Sequence, residues 1–159
     1  MEVQDIKKEL AKHQLSGHGS KTVIVGIGVL YREGKLLLTR AKNREYWCFP
    51  GGLYDVAGET LEMLIAREYR EELSIDIEVL GPIDNRLDIS STGNYFRLLS
   101  YYLVKQADSR TPRCVDNGDQ ADLAELRWVS LSEIDSLPTA LGTKAIAKKA
   151  QWLAEHGLC

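Results

Sequence analysis

Three glutamates and two arginines are concentrated in the segment REYREEL, residues 67–73. Carboxylates grouped in this way can bind a hard divalent cation, which takes oxygen ligands and commonly bridges to substrate phosphates. The simpler interpretation is a charged helical turn that faces solvent. The two interpretations predict different positions for the glutamates, because exposed charges lie opposite the apolar stripe of a helix.

A helical wheel separates these interpretations. At about 100° per residue, Glu68 and Glu72 fall about 20° to either side of Leu61. Leu61 belongs to an apolar face that also carries Leu64, Ile65, Tyr69 and Leu73. Glu71 lies at the margin of this face. Arg67 lies on the opposite face, within reach of Glu71 but directed away from Glu68 and Glu72. Two carboxylates therefore point where the apolar side chains point.

Like charges three or four residues apart destabilise a helix, and burial strengthens their repulsion. Protonation of a carboxyl, pairing with arginine, or a bound cation can relieve it. Since Arg67 is directed away from Glu68 and Glu72, the pattern favours a Mg²⁺ or Mn²⁺ site.

Strands and helices are mixed along the rest of the chain. A hairpin is predicted from strands at residues 21–32 and 35–41, followed by a loop, PGGLYDVAG, and by the glutamate helix from about Thr60. Further strands are predicted at residues 75–80, 95–104 and 126–129, with turns at GPIDN and SSTGN. Two helices, SLSEIDSLP and TKAIAKKAQWLAEHG, complete the chain, the second ending at Gly157. This mixture predicts a layered α/β domain.

Composition restricts the classes of function. The chain has 159 residues, 44% of them hydrophobic and 27% charged, which is typical of one soluble domain. The net charge of −3 excludes a broad basic surface for polymeric nucleic acid. The N-terminus reads as a short amphipathic helix without a signal peptide, and no apolar stretch is long enough for a membrane span. Three scattered cysteines suit a reduced compartment, so we expect a cytoplasmic protein.

Residues 51–75, GGLYDVAGETLEMLIAREYREELSI, resemble the Nudix box of the Nudix hydrolases. Glu59, seven intervening residues and then REYREE reproduce the family pattern E-x7-R-E-U-x-E-E, where U is bulky and apolar or aromatic. FPGG before the box and LRWVSLSEI after it extend the resemblance over residues 20–138. Two positions depart from the pattern: the loop between Gly52 and Glu59 has one extra residue, and Ser74 replaces a glycine.

The resemblance implies an α/β/α sandwich of the Nudix type, with a mixed β-sheet in a single domain. Its core would span residues 20–138, with the box at about 52–75. Residues 1–19 would form an N-terminal helix and joint, and residues 139–159 a C-terminal helix packed on the domain.

The resemblance also implies hydrolysis of a nucleoside diphosphate linked to another group, with Mg²⁺ or Mn²⁺ as cofactor. Glu68 and Glu72 would bind the metal, Glu71 would be a further ligand or water-binding group, and the Gly51 carbonyl would add an oxygen. Glu71, Glu72 and the orienting Arg67 are therefore the expected catalytic group. The partner would be a nucleotide-derived small molecule, and the protein a monomer or homodimer.

Four further residues are candidates for substrate binding. Tyr54 and Phe96 could stack on a base, although aromatic side chains on strands more often lie in the core. Asp122 and Glu125 belong to an acidic loop that could supply the general base, and their simpler interpretation is a solvated loop.

Several other functions remain as alternatives. A nucleoside triphosphate pyrophosphatase is favoured slightly over a nucleotide-sugar or ADP-ribose hydrolase. An isomerase of the isopentenyl diphosphate type would require a catalytic cysteine, for which Cys48 is a nominal candidate. A binding domain without activity would be expected to have lost carboxylates of the box, and none is lost here.

Overall fold

A six-stranded mixed sheet forms the centre of the computed structural model, which describes residues 21–90 and 93–158. The strands are β1 (Lys21–Arg32), β2 (Lys35–Ala41), β3 (Gly51–Leu53), β4 (Ile77–Ile89), β5 (Tyr95–Gln106) and β6 (Leu123–Val129). The helices are α1 (Leu61–Leu73), α2 (Leu131–Ile134) and α3 (Thr143–His156). The predicted N-terminal helix lies outside the described residues, as does part of the predicted SSTGN turn.

The order of the strands in the sheet is β4, β5, β1, β2, β6, and β3 pairs with β1. β1 runs parallel to β5, whereas the other pairings of these strands are antiparallel. The edge of β1 opposite β5 pairs with two strands: residues 25–27 pair with β3, and residues 31–32 pair with β2. β3 therefore brings Gly51 and Gly52 to the point where the sheet divides.

Each face of the sheet carries its own apolar core, since side chains alternate along a strand. On one face, Leu37 of β2 packs in a cluster with Leu64 and Tyr69 of α1. On the other face, Leu36 packs in a cluster with Ile146 of α3, and α2 contributes to the same core. The predicted α/β/α sandwich with a mixed sheet in one domain is confirmed.

Two glycines of β1 allow α1 to lie close to the sheet. A Cβ atom at Gly26 would come within 2.5 Å of Leu64 Cδ2, and one at Gly28 within 2.6 Å of Tyr69 Cε2. The Tyr69 hydroxyl also donates a buried hydrogen bond of 2.9 Å to the Gly28 carbonyl oxygen. These contacts fix the position of the helix that carries the glutamates.

Two segments predicted as a turn and a loop are strands. GPIDN continues β4, and the pairing with β5 shifts register between Val79 and Gly81 and again between Pro82 and Asp84. Bulges of this kind absorb an extra residue, and β4 is an edge strand, where the missing N–H of proline is tolerated. The start of the predicted loop, Gly51–Leu53, is β3.

Candidate active site

α1 begins and ends where the sequence predicts. The Thr60 side chain caps the helix by accepting a hydrogen bond of 3.2 Å from the Met63 backbone N–H. After Leu73, Ser74 adopts a left-handed conformation with φ of 56°. Glycine is favoured at this position because it has no Cβ atom. Serine thus occupies a left-handed cap at which the Nudix pattern has glycine.

The exposures of the α1 glutamates agree with the helical wheel, which places Glu68 and Glu72 on the apolar face and Glu71 at its margin. The Glu68 side chain is 13% exposed and Glu72 is half-buried, whereas the Glu71 side chain is 59% exposed. Burial, followed by the negative charges of Glu68 and Glu71, raises the pKa of Glu72 to about 8. Burial also raises the pKa of Glu68 above its ordinary value.

Arg67 is the centre of the ion-pair network beside these glutamates. Its Nε and Nη2 donate to the two carboxylate oxygens of Glu59, at 2.9 and 3.1 Å. Its Nη1 donates to Glu68 at 3.0 Å and to Glu71 at 3.3 Å, and Nη2 also reaches Asp55 at 3.3 Å. The expectation that Arg67 is directed away from Glu68 was wrong. The long Arg67 side chain donates to Glu59 through Nε and at the same time to Glu68 through Nη1.

Gly52 provides the surface against which Glu68 lies. A Cβ atom at Gly52 would come within 2.3 Å of Glu68 Oε1, so a larger residue would displace this carboxylate. The following loop contains a turn in which the Glu59 N–H donates to the Val56 carbonyl at 3.2 Å. Gly58 in this turn has a φ of 82°. Glu59 still reaches Arg67 despite the insertion.

The residues present fit a divalent cation by their chemistry. Glu68, Glu72 and a backbone carbonyl offer hard oxygen donors. No described residue donates a hydrogen bond to the Glu72 carboxylate, although its environment disfavours an isolated charge. Within residues 21–90 and 93–158, no three Asp, Glu, His or Cys side chains form a complete ligand cluster.

A cleft of about 570 Å³ adjoins Glu72. This volume lies within the range of small-molecule sites. Glu72, Gly51 and Gly52 contribute to its lining. Other polar and aromatic lining residues come from the β2–β3 connection and from β4 and β5: Arg44, Tyr46, Asp88, Tyr95 and Arg97.

None of the four substrate-binding candidates is among the residues that line the cleft, but the charge of Asp122 acts on Glu72. Phe96 is 3% exposed, and Tyr54, which is 38% exposed, is not among the residues that line the cleft. Asp122 accepts backbone hydrogen bonds from Asn117 and Asp119 within its own loop. Glu125 pairs with Arg40 at 3.0 Å.

Arg44, Asp88 and Arg97 were not among the site residues predicted from the sequence. The signal available for Arg97 was strand alternation: residues 97, 99 and 101 of β5 share a face, and all three line the cleft.

Comparisons with known proteins agree with this architecture. A model of the NUDIX domain matches residues 21–153, which is most of the chain. The chain belongs to the Nudix family. The curated relative "Uncharacterized Nudix hydrolase YvcI" of Bacillus subtilis strain 168 is 30% identical over 119 residues, covering 72% of this chain and 70% of its own. The protein is accordingly a hydrolase.

Solved Nudix structures share the fold. The MutT NUDIX hydrolase of Burkholderia pseudomallei superposes with a TM-score of 0.68 at 25% identity, covering 82% of this chain and 98% of its own. An ADP-ribose pyrophosphatase of Streptococcus suis superposes with a TM-score of 0.62 at 16% identity, covering 86% and 96%. The predicted resemblance to the Nudix hydrolases is confirmed. None of the described helices is long and apolar enough to cross a membrane.

Proposed function

We propose that this Nudix protein is a divalent-metal-dependent hydrolase that cleaves the pyrophosphate bond of nucleoside diphosphate derivatives. The observation that carries the proposal is the pair Glu68 and Glu72 on one face of α1. Glu68 lies against Gly52, and Glu72 lines a cleft large enough for a nucleotide. Nucleoside triphosphates are the favoured substrates, and nucleotide sugars or ADP-ribose are the alternative. The similarity to a MutT hydrolase at 25% identity supports the first class.

Glu68, Glu72, Glu71 and the Gly51 carbonyl would hold Mg²⁺ or Mn²⁺. When bound, such an ion neutralises phosphate charge and makes water a stronger nucleophile. In the reaction, the oxygen of water forms a bond to phosphorus, the bridging P–O bond breaks and a proton is released.

The protein's own groups would orient this reaction. Arg67 holds Glu59 and Glu68 in fixed positions, so it is a positioning residue rather than a group that touches substrate. Arg44 lines the cleft and its charge acts on Glu72, but no described carboxylate oxygen lies within 4 Å of its guanidinium. Its guanidinium can therefore contact a phosphate, which its planar fork suits.

The cellular setting belongs to the same proposal. A nucleotide-derived small molecule as the partner, a cytoplasmic location and a monomeric or dimeric state are consistent with the acidic net charge and the reduced cysteines Cys48 and Cys114.

A substrate screen tests the proposal. The purified protein, with Mg²⁺ or Mn²⁺, is assayed against canonical and oxidised nucleoside triphosphates, ADP-ribose, nucleotide sugars and dinucleoside polyphosphates. We expect turnover of at least one class and a loss of roughly 100-fold or more in Glu72→Gln. Reaction in ¹⁸O-labelled water then identifies which phosphorus is attacked.

Glu78→Gln is the matched control, because Glu78 is an exposed carboxylate of β4 that pairs with Lys105. It should retain full turnover. A parent protein that hydrolyses nothing in the panel would contradict the proposed activity, and unchanged turnover in Glu72→Gln would contradict the metal assignment.

A further inference from the structure

Asp88 and Arg97 form an ion pair inside the cleft. They are direct cross-strand partners on β4 and β5, and both line the cleft. Arg97 Nε donates to Asp88 Oδ1 at 2.8 Å, and Nη2 donates to Oδ2 at 2.7 Å. The Arg97 side chain is 37% exposed and the Asp88 side chain is 20% exposed, so the pair is accessible to a ligand. The two hydrogen bonds hold it in one geometry.

This geometry uses only one side of the guanidinium. Arginine has five N–H donors, and Asp88 takes one from Nε and one from Nη2. The end formed by Nη1 and the second N–H of Nη2 remains available, and no other described residue accepts from it. Two parallel donors at this end match a ligand edge that carries two neighbouring acceptors.

The pair is suited to an uncharged group rather than to phosphate. Asp88 neutralises Arg97, whereas Arg44 in the same cleft has no ion-pair partner among the described residues. Tyr46 and Tyr95 also line the cleft, so aromatic rings and the Arg97 donors belong to the same cleft. A planar base can stack on such rings while its edge accepts hydrogen bonds.

The strand register separates this pair from Gly51, whose carbonyl belongs to the proposed metal site. Arg97 is level with Val23 of β1, whereas Gly51 is level with Ile27. Four residues along a strand span about 13 Å, and two strand spacings add about 10 Å across the sheet. One small group cannot contact both places, so they must bind different parts of an extended substrate.

We propose that Arg97, oriented by Asp88, binds the base of the substrate and selects a 6-oxopurine. This inference rests on the proposed function, whose phosphate chemistry occupies the Glu72 part of the cleft. Guanine and hypoxanthine present O6 and N7 as neighbouring acceptors, and arginine commonly binds both. Adenine presents a donor at N6 beside N7, so one of the two bonds is lost and a donor faces a donor. In 8-oxoguanine N7 carries a proton, which removes the same acceptor.

Binding of nucleoside monophosphates without added metal tests this assignment. Inosine and adenosine monophosphates differ only at the purine 6-position and in the N1 proton that follows from it. Titration calorimetry on the full chain should give roughly 5- to 100-fold tighter binding of inosine and guanosine monophosphates than of adenosine monophosphate. An 8-oxoguanosine monophosphate should bind more weakly than guanosine monophosphate.

Two variants examine the residues themselves. Arg97→Lys keeps the charge but lacks the fork, so the ratio of inosine to adenosine affinity should fall to within about twofold of unity. Asp88→Asn should reduce the same ratio, because the guanidinium is no longer held in place by two charged bonds. Glu78→Gln alters the corresponding exposed pair with Lys105 on the same strands and should leave the ratio unchanged.

The outcomes separate this inference from the proposed function. Equal affinities for inosine and adenosine monophosphates, preference for adenosine, no detectable binding, or discrimination that persists in Arg97→Lys would each overturn the base assignment. Hydrolysis without discrimination would leave the proposed activity standing. Discriminating binding without hydrolysis of any substrate would contradict only the activity.

Discussion

At the residue scale, the Glu72 carboxylate destabilises the folded, metal-free protein. Its pKa is raised to about 8, so the unfolded chain releases this proton at lower pH than the folded chain. The folded state therefore loses stability as the pH rises from about 4.5 to about 8. At a pH above 8 and without metal, Glu72→Gln should therefore have a melting temperature higher than that of the parent by at least about 2–4 °C, corresponding to about 1 kcal/mol. Scanning calorimetry with a chelator present measures this difference in melting temperature.

The difference between Glu72→Gln and the parent should shrink toward pH 4.5, where the parent carboxyl is protonated. Mg²⁺ should raise the melting temperature of the parent more than that of the variant. Glu78→Gln is the control, because the Glu78 side chain is 58% exposed and pairs with Lys105 on the sheet. A pH-independent difference would contradict the assigned cause.

Arg67 is the residue on which the carboxylate network depends. Glu59 is only 7% exposed at its side chain and is held by two Arg67 bonds. Arg67→Ala would leave this carboxylate without its partner, and we expect a larger loss in the free energy of unfolding by urea than in Arg70→Ala. Arg70→Ala removes a solvent-exposed pair with Asp76 on the same helix and should lose less than about 1 kcal/mol. Equal losses in the two variants would contradict a special role for Arg67.

At the element scale, the C-terminal cap of α1 can be improved. Ser74 has a φ of 56°, a conformation that is unfavourable for residues with a Cβ atom. Ser74→Gly should stabilise the protein by about 0.5–1 kcal/mol in urea denaturation. Ser74→Ala keeps the Cβ atom and should give no gain. A loss of stability in Ser74→Gly would mean that the serine hydroxyl has a compensating contact.

The elements that could be predicted from the sequence are those with a strong local pattern. The Lys21–Ala41 hairpin, α1 and α3 follow from apolar periodicity, glycine turns and caps. β4 was shortened in the prediction because GPIDN has turn chemistry. Its continuation depends on pairing with β5 and on its edge position, neither of which a local pattern contains.

The same limit applies to the candidate site. Glu68 and Glu72 could be assigned to the half-buried face of α1, because both lie on one helix whose own periodicity shows that face. Arg44, Asp88 and Arg97 come from three separate segments, and only the folded sheet brings them to one cleft. Tyr54 and Phe96 were selected by residue type alone, which does not indicate the direction of a side chain.

At the scale of the whole molecule, α3 is connected to the cleft through the segment before it. The Trp47 N–H donates to the Pro138 carbonyl at 2.8 Å, and the Ala140 N–H donates to the Trp47 carbonyl at 2.9 Å. Thr139 and Ala140 line the cleft. Packing of α3 on the sheet therefore supports one wall of the cleft.

Ile146→Ala tests this connection. Ile146 is 2% exposed in the core between α3 and the sheet, so the variant should lose about 2–4 kcal/mol of unfolding free energy. Because this core includes Trp47 and residues of β1, β2 and β5, the variant should unfold in one transition by both circular dichroism and tryptophan fluorescence. Lys148→Ala, at an exposed position of α3, should change stability by less than about 0.5 kcal/mol. Separate transitions for the two probes would show that α3 unfolds independently, and the cleft wall would then be supported by the Trp47 hydrogen bonds alone.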